Sequence, residues 1–352
     1  MGNPYGSITD VPGIQVGQAQ RIGDGWLSGV TVVVPPDGTV GAVDVRGGGP
    51  GTQDTDILAP GTISDLVHAV VLTGGSAYGL ASVGGVQRWC EEQGRGLSLR
   101  GTVVVPIVPG AVVFDVGRGG EVKARPDAAM GYEAVSALST TVDVGVVGAG
   151  TGTQLANGTL KGGIGTASIR LGGVTVGAIV AANAAGSPVN ERTGELLAAP
   201  YVPDDALRPG IPSEHPLPQE PPSGRDLNTT LAVVATDAKL TRPEARRMAM
   251  TGHDGLARAV RPVHTLADGD AVFGLATGTA DPAEAAPEWW PEDRRLGGIF
   301  AIQAASADVV TLAFLHAVLA ATSVRTPAAE IPAYLDRYPS AQPISFRRTS
   351  SN

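Results

Sequence analysis

Cysteine is all but missing from this sequence: Cys90 stands alone among 352 residues, so no intramolecular disulfide can close. Nothing in that usage points to an oxidising compartment, and a cytoplasmic location is the expectation. Aromatic side chains make up only 4% and charged ones 17%, no Lys/Arg run occurs, and the formal net charge is −9. A chain of that sign lacks the basic footprint that grips a phosphate backbone, which argues against nucleic acid as a partner. The opening Met-Gly-Asn-Pro-Tyr-Gly has neither the basic nor the apolar region of a signal peptide. The most apolar long segment, 298–321, carries Gln303, Asp308 and His316. Each would be costly in hydrocarbon, so the segment reads as a buried helix of a soluble fold and no membrane contact is expected. His68, His215, His253, His264 and His316 fall in no metal-ligand spacing and calcium-loop clusters are missing, so neither metal nor cofactor is expected. The glycine runs at 47–51 and 74–79 lack a Walker lysine and do not fit Gly-x-Gly-x-x-Gly, and close backbone packing accounts for them better than a nucleotide.

Glycine and small aliphatics are what the chain has instead: 49 glycines within a composition that is 43% hydrophobic. Such a composition builds an interior of Ala, Val, Leu and Ile with closely approaching backbones. β-branched runs at Val30–Pro35, Val40–Val45, Ala69–Leu72, Val103–Val105, Val112–Val116, Thr141–Val147 and Val174–Ala182 read as strands. The last is nearly all apolar, as for a strand covered on both faces. Ser76–Glu92 reads as a helix with Leu80, Val83, Val86 and Trp89 along one face and a Gly84-Gly85 pair that marks close packing. Residues 200–222 hold eight prolines, which no helix or central strand tolerates, so a surface linker is expected there. Thr229–Thr236 follows as a core strand, placing Thr229 at its start. Thr241-Arg242-Pro243-Glu244 is a capping box that opens a helix through about Thr251. A long apolar helix near Ile299–Leu319 and a disordered polar tail complete a layered α/β sandwich.

Hydrolysis of an unactivated amide needs a nucleophile, a base and donors for the oxyanion. No Gly-x-Ser-x-Gly elbow or cysteine-protease signature is present. An N-terminal threonine remains, whose α-amine, with an ordinary pKa of roughly 7.7 to 8.0, can serve as base near neutrality. Thr229 would possess that amine only after chain cleavage.

The segment Asp226-Leu227-Asn228-Thr229-Thr230-Leu231-Ala232-Val233-Val234-Ala235-Thr236-Asp237 resembles the cleavage region of the L-aminopeptidase/D-esterase family, and its Asn-Thr-Thr form resembles the nylon-oligomer (6-aminohexanoate oligomer) hydrolase branch. Further blocks match in order: 10–17 (Asp-Val-Pro-Gly-Ile-x-Val-Gly), 46–52 (Arg-Gly-Gly-Gly-Pro-Gly-Thr), 72–80, 161–168 (Lys-Gly-Gly-Ile-Gly-Thr-Ala-Ser), and 261–265 with Asp268-Gly269-Asp270. The resemblance implies a four-layer αββα sandwich, shared with ornithine acetyltransferase, forming one catalytic domain over 1–352. It implies self-cleavage into 1–228, ending in a proline-rich linker over 200–227, and 229–352. It implies that Thr229 attacks the carbonyl of Asn228 in an N-to-O acyl shift and later attacks substrate. Lys161 would orient the nucleophile, the Asn183 amide would donate to the oxyanion, and Asp268 and Asp270 would hold Lys161 and the Thr229 amine. Substrates would be small linear amides, either 6-aminohexanoate oligomers or peptides trimmed at the amino end, and a homo-oligomer, often a tetramer in relatives, is implied.

One departure from the family is Phe114, where some members carry a tyrosine hydroxyl near the nucleophile; Tyr78 either substitutes for it in the substrate pocket or packs at a helix start. Asn183, at the end of an apolar strand, fits a turn cap as well as an oxyanion donor. Two rivals stand beside the hydrolase: an acyltransferase of the ornithine acetyltransferase type, and an uncleaved binding protein in which Thr229 is an ordinary strand residue.

Overall fold

The apolar run Val174–Ala182 is a strand buried along its whole length, because it lies in the middle of a sandwich with a sheet on one side and helices on the other. This is seen in a computed structural model that describes residues 3–101, 103–216 and 227–347. Ten strands form two five-stranded sheets. They are β1 (Gln15–Gly23), β2 (Trp26–Val34), β3 (Val40–Val45), β4 (Thr52–Gln53), β5 (Val70–Thr73), β6 (Gly110–Val112), β7 (Gly163–Leu171), β8 (Val174–Ala182), β9 (Leu231–Ala238) and β10 (Ala271–Ala280). The first sheet runs β1-β2-β5-β6-β4 and the second β7-β8-β9-β10-β3. Four long helices cover them: α1 (Ala81–Glu92), α2 (Ala128–Ser136), α3 (Arg242–Ala259) and α4 (Arg294–Ala320).

Three apolar cores define the layers. Alternate residues of β9 face opposite ways, as the period of a strand requires: Leu231, Val233 and Ala235 meet Val33, Val70 and Leu72 of the first sheet, while Ala232 and Val234 meet α3 and α4 residues such as Met248, Leu256, Ile302 and Val310. A third cluster joins Val30, Val32 and Val71 to Val83 and Val86 of α1 and Ala134 of α2. The order of layers is therefore helix, sheet, sheet, helix, the expected four-layer αββα sandwich. Helix α4 is long and apolar enough to cross a bilayer by length and composition, and 72% of its most apolar window is buried inside this fold.

The local expectations fare unevenly. Val40–Val45 and Val174–Ala182 are strands to the residue, and Thr241 and Glu244 form the capping box, with the Thr241 N–H donating to the Glu244 carboxylate at 2.8 Å. Helix α3 runs on to Ala259, past the expected end at Thr251. Ser76–Leu80 is a 3-10 turn, and the α-helix begins only at Ala81. Of the glycine pair, Gly85 marks close packing, since a Cβ there would lie 1.9 Å from the Ala128 carbonyl oxygen of α2, whereas Gly84 faces open space. Thr141–Val147 is not a strand; it touches the sheet through one bridge, Gly145 to Ile164, because left-handed Gly145 tucks beneath the end of α4. Val103–Val105 pairs with Leu97–Leu99 in a hairpin outside both sheets.

Two segments expected to be loose are packed. In the proline-rich stretch, Val202 is buried, the Gly210 N–H donates to the Ala341 carbonyl at 3.0 Å, and the Ser213 N–H donates to Ser340 Oγ at 2.9 Å. The rest of that linker, residues 217–226, lies outside the described residues. The tail beyond α4 buries Ile331, Tyr334, Tyr338 and Ala341 instead of trailing into solvent; only 348–352 fall outside the description.

Candidate active site

Strand register assembles the site. Ala181 of β8 pairs with Leu231 of β9, Leu231 with Ala271 of β10, and Ala271 with Val45 of β3. Two residues beyond these partners, at the same edge of the second sheet, come Asn183, Thr229, Gly269 and Gly47 in a row. Sequence positions far apart are thus forced together by one register, which a buried sheet specifies strongly.

Thr229 is buried at 4% exposure. Its hydroxyl donates to the carbonyl oxygen of Asn228 at 2.6 Å, and its backbone N–H donates to the Asn183 carbonyl at 2.7 Å. The Gly269 N–H lies 3.1 Å from Thr229 Oγ1 and 3.1 Å from the Asn228 carbonyl oxygen. The bond between Asn228 and Thr229 therefore has a hydroxyl against its carbonyl and an N–H donor on the oxygen that would become negative if that hydroxyl attacked. Only glycine fits at 269: a Cβ would stand 2.7 Å from Thr229 Oγ1 and 2.8 Å from the Gly49 carbonyl oxygen. The glycine run at 46–52 braces this turn from outside. The N–H groups of Arg46 and Gly47 donate to the Asp270 carbonyl at 2.9 and 3.2 Å, and that of Gly49 donates to the Asp268 carbonyl at 2.8 Å.

The acids flanking Gly269 bind groups on the surrounding turns. Asp268 Oδ2 accepts from the Thr265 N–H at 3.0 Å and hydroxyl at 2.6 Å, and Oδ1 from the Ala185 N–H at 3.3 Å. Asp270 Oδ1 accepts from the Thr230 N–H at 2.7 Å, and Oδ2 lies 2.7 Å from His264 Nδ1. In the intact chain, where Thr229 has no free amine, their partners are the N–H groups of Ala185, Thr230, His264 and Thr265, the Thr265 hydroxyl and the His264 ring. Backbone N–H groups at the strand ends that lack a ladder partner take the nearest carboxylates. Burial, and then the neighbouring Asp270, push the Asp268 carboxyl above its ordinary value.

Lys161 is fully buried. Its ammonium nitrogen donates to the carbonyls of Gly150 at 3.0 Å, Thr153 at 2.8 Å and Gly162 at 2.9 Å, so it ties down the 150–153 turn and makes no hydrogen bond to Thr229 in the intact chain. Burial, followed by the charge of Arg118, holds its pKa well below the ordinary lysine value, while Asp115 pulls the other way. Asn183 Oδ1 accepts from Arg118 at 2.8 Å and from the Gln154 N–H at 2.9 Å. Its Nδ2 is buried and has no partner among the described residues, while the backbone carbonyl of the same residue receives the Thr229 N–H. Asn228, also buried, has its Oδ1 held by Arg118 at 3.2 Å.

Phe114 is half-buried, with the Arg118 guanidinium 5.9 Å from its ring centre. Tyr78 is 62% exposed and carries the Arg125 guanidinium 3.8 Å above its ring, a cation–π stack. Sequence reading missed three parts of the site: Arg118, the Gly269 N–H and the 150–154 turn. The glycine-threonine string Gly148-Ala149-Gly150-Thr151-Gly152-Thr153 was an available signal for the turn. A lone buried arginine gives none.

Comparisons with known proteins identify the family and the fold. The model of peptidase family S58 matches residues 6–331. An uncharacterised aminopeptidase of Mycobacterium leprae is 47% identical over 97% of this chain and 96% of its own. A 6-aminohexanoate-oligomer endohydrolase of a Kocuria species is 30% identical over 77% of this chain and 75% of its own. Among solved structures, a Burkholderia β-aminopeptidase superposes with a TM-score of 0.69 at 25% identity, covering 97% of this chain and 96% of that one. The L-aminopeptidase D-Ala-esterase/amidase of Ochrobactrum anthropi, described as a variant of the Ntn hydrolase fold, superposes with a TM-score of 0.69 at 22% identity, over 97% and 96% of the two chains, and speaks for the fold alone. This chain is an enzyme of peptidase family S58.

Proposed function

We propose that the chain is the precursor of an N-terminal-threonine amide hydrolase, cleaved by its own Thr229 and working afterwards with the same hydroxyl. The observation that carries this reading is the shared position of the Gly269 N–H, on both the Asn228 carbonyl oxygen and the Thr229 hydroxyl that donates to that oxygen. Attack by Oγ1 on the Asn228 carbonyl forms a C–O bond and breaks the C–N bond, leaving an ester and a free Thr229 amine. Water then splits the ester, giving fragments 1–228 and 229–352. The amine, beside the Asn183 carbonyl, takes the hydroxyl proton in later turnovers, while Gly269 and Asn183 Nδ2 offer donors to the substrate oxyanion. Lys161 acts by holding the turn that positions Asn183.

The relatives support a substrate class. Those at 47 to 49% identity bear the name uncharacterised aminopeptidase, and the 6-aminohexanoate-oligomer endohydrolases stand at 30%, which favours peptides trimmed at a free amino end over nylon oligomers. A cytoplasmic site of action belongs to the same reading, supported by the single buried Cys90. So does a homo-oligomer, for which exposed Trp289 and Phe300, joined through Trp290, offer an apolar surface. The substrate claim is tested by incubating the processed protein with short peptides, their N-acetylated forms and linear 6-aminohexanoate oligomers, and following products by mass spectrometry. Hydrolysis is expected to be fastest for peptides with free amines and lost on acetylation. Cleavage of acetylated peptides at equal rates would overturn the amino-end assignment, and inertness toward all three would overturn amide hydrolysis.

A further inference from the structure

We propose that Arg118 is a positioning residue for the Thr229 site, fixing the Asn183 side chain with its amide nitrogen free for the reacting oxygen and holding residue 228 in place for cleavage. This rests on the reading of Thr229 as nucleophile. A primary amide presents an acceptor and a donor of nearly the same shape, so something must choose which of the two faces the reaction. Here Arg118 and the Gln154 N–H both donate to Asn183 Oδ1, at 2.8 and 2.9 Å. Two donors accept only an oxygen between them, which leaves Nδ2, buried and without a partner, as the donor on offer.

The guanidinium does this with a geometry that a point charge cannot copy. One of its nitrogens donates to Asn183 Oδ1 and, at 2.7 Å, to the Gly152 carbonyl; another reaches Asn228 Oδ1 at 3.2 Å. The fork therefore spans both the residue on the acyl side of the scissile bond and the group that receives the oxyanion. Lys161 grips the carbonyls of Gly150 and Thr153 on either side of Gly152, so the two side chains hold one turn, Lys161 at its flanks and Arg118 at its middle. That arrangement also places the arginine charge where it depresses the Lys161 pKa, second only to burial. Arg118 is itself 8% exposed and follows the Asp115 turn, its N–H donating to the Asp115 carbonyl at 3.2 Å.

The test compares Arg118→Met, Arg118→Lys, Asn183→Ala and the Arg118→Met/Asn183→Ala double variant, using a peptide amide with a free amino end and, for precursors, the rate at which fragment 229–352 appears. Thermal melts check folding. Asn183→Ala is expected to lower kcat about 100-fold, Arg118→Met by a comparable factor with KM nearly unchanged, and the double variant no further than the worse single one, because both remove the same donor. Arg118→Lys is expected to retain part of kcat, since an ammonium still reaches one acceptor. Losses that multiply in the double variant, or a wild-type kcat in folded Arg118→Met beside an impaired Asn183→Ala, would overturn the role of Arg118. If Arg118→Met does not fold, a change confined to KM in Arg118→Lys overturns it equally. A wild-type rate in Asn183→Ala would instead overturn the reading of the Thr229 site on which the proposal stands.

Discussion

Thr229→Ala is expected to remain one uncut chain without detectable amide hydrolysis, while Thr229→Ser is expected to cut itself and to turn over substrate at a reduced rate. The hydroxyl that donates to the Asn228 carbonyl at 2.6 Å performs the acyl shift and the later attack, so its removal abolishes both. Serine keeps the oxygen and loses the methyl that restricts χ1, so the hydroxyl spends less time against the carbonyl. The alanine variant loses little packing, because the polar neighbours of Thr229 are backbone groups of Asn228, Asn183 and Gly269. Its melting temperature is expected near that of the serine variant. The pair therefore separates loss of chemistry from loss of fold, and a cut Thr229→Ala chain would place the nucleophile elsewhere.

Gly269→Ala is expected to slow self-cleavage by roughly two orders of magnitude or more, the scale associated with one misplaced oxyanion donor. The added methyl would stand 2.7 Å from Thr229 Oγ1 and 2.8 Å from the Gly49 carbonyl oxygen. Something must move, and whichever moves carries either the hydroxyl or the N–H away from the scissile carbonyl. Overpacking of this kind destabilises by about 1–3 kcal/mol, so the chain still folds and its processing rate can be read. Gly84→Ala on α1 supplies the contrast, since a Cβ there has nothing within 4 Å and a helical Gly→Ala change is stabilising by up to about 1 kcal/mol. That variant is expected to process normally. Equal processing rates in the two variants would contradict the account of Gly269.

The fold was legible where residues alternate or run apolar without interruption. Val174–Ala182 and Val40–Val45 announce themselves as strands, and Thr241 with Glu244 announces a helix start. β7 and β10 did not, because glycines interrupt Gly163–Leu171 and Ala271–Ala280 and read locally as loop. The structure supplies the reason those glycines are there: a Cβ on Gly165 would lie 2.1 Å from the Ala313 carbonyl oxygen of α4, so the strand is glycine-rich where the helix crosses it closely. Compositional scarcity of large side chains and hidden strands are two sides of one packing solution.

For the site, the residues were legible as blocks while their partners were not. Asp268-Gly269-Asp270 drew attention to its carboxylates, yet within that triplet it is the N–H between them that donates to the scissile carbonyl oxygen. Which groups a carboxylate meets depends on strand register across β8, β9 and β10, a long-range quantity that no local pattern carries. Arg118 was invisible for the same reason: 65 residues separate it from Asn183 and 110 from Asn228.

The central claim is cleavage between Asn228 and Thr229, and the intact mass of the purified wild-type protein under native conditions tests it most directly. The account predicts two chains, 1–228 and 229–352, the second with threonine as its first residue. A folded population that hydrolyses amides while every molecule remains at 352 residues would contradict it.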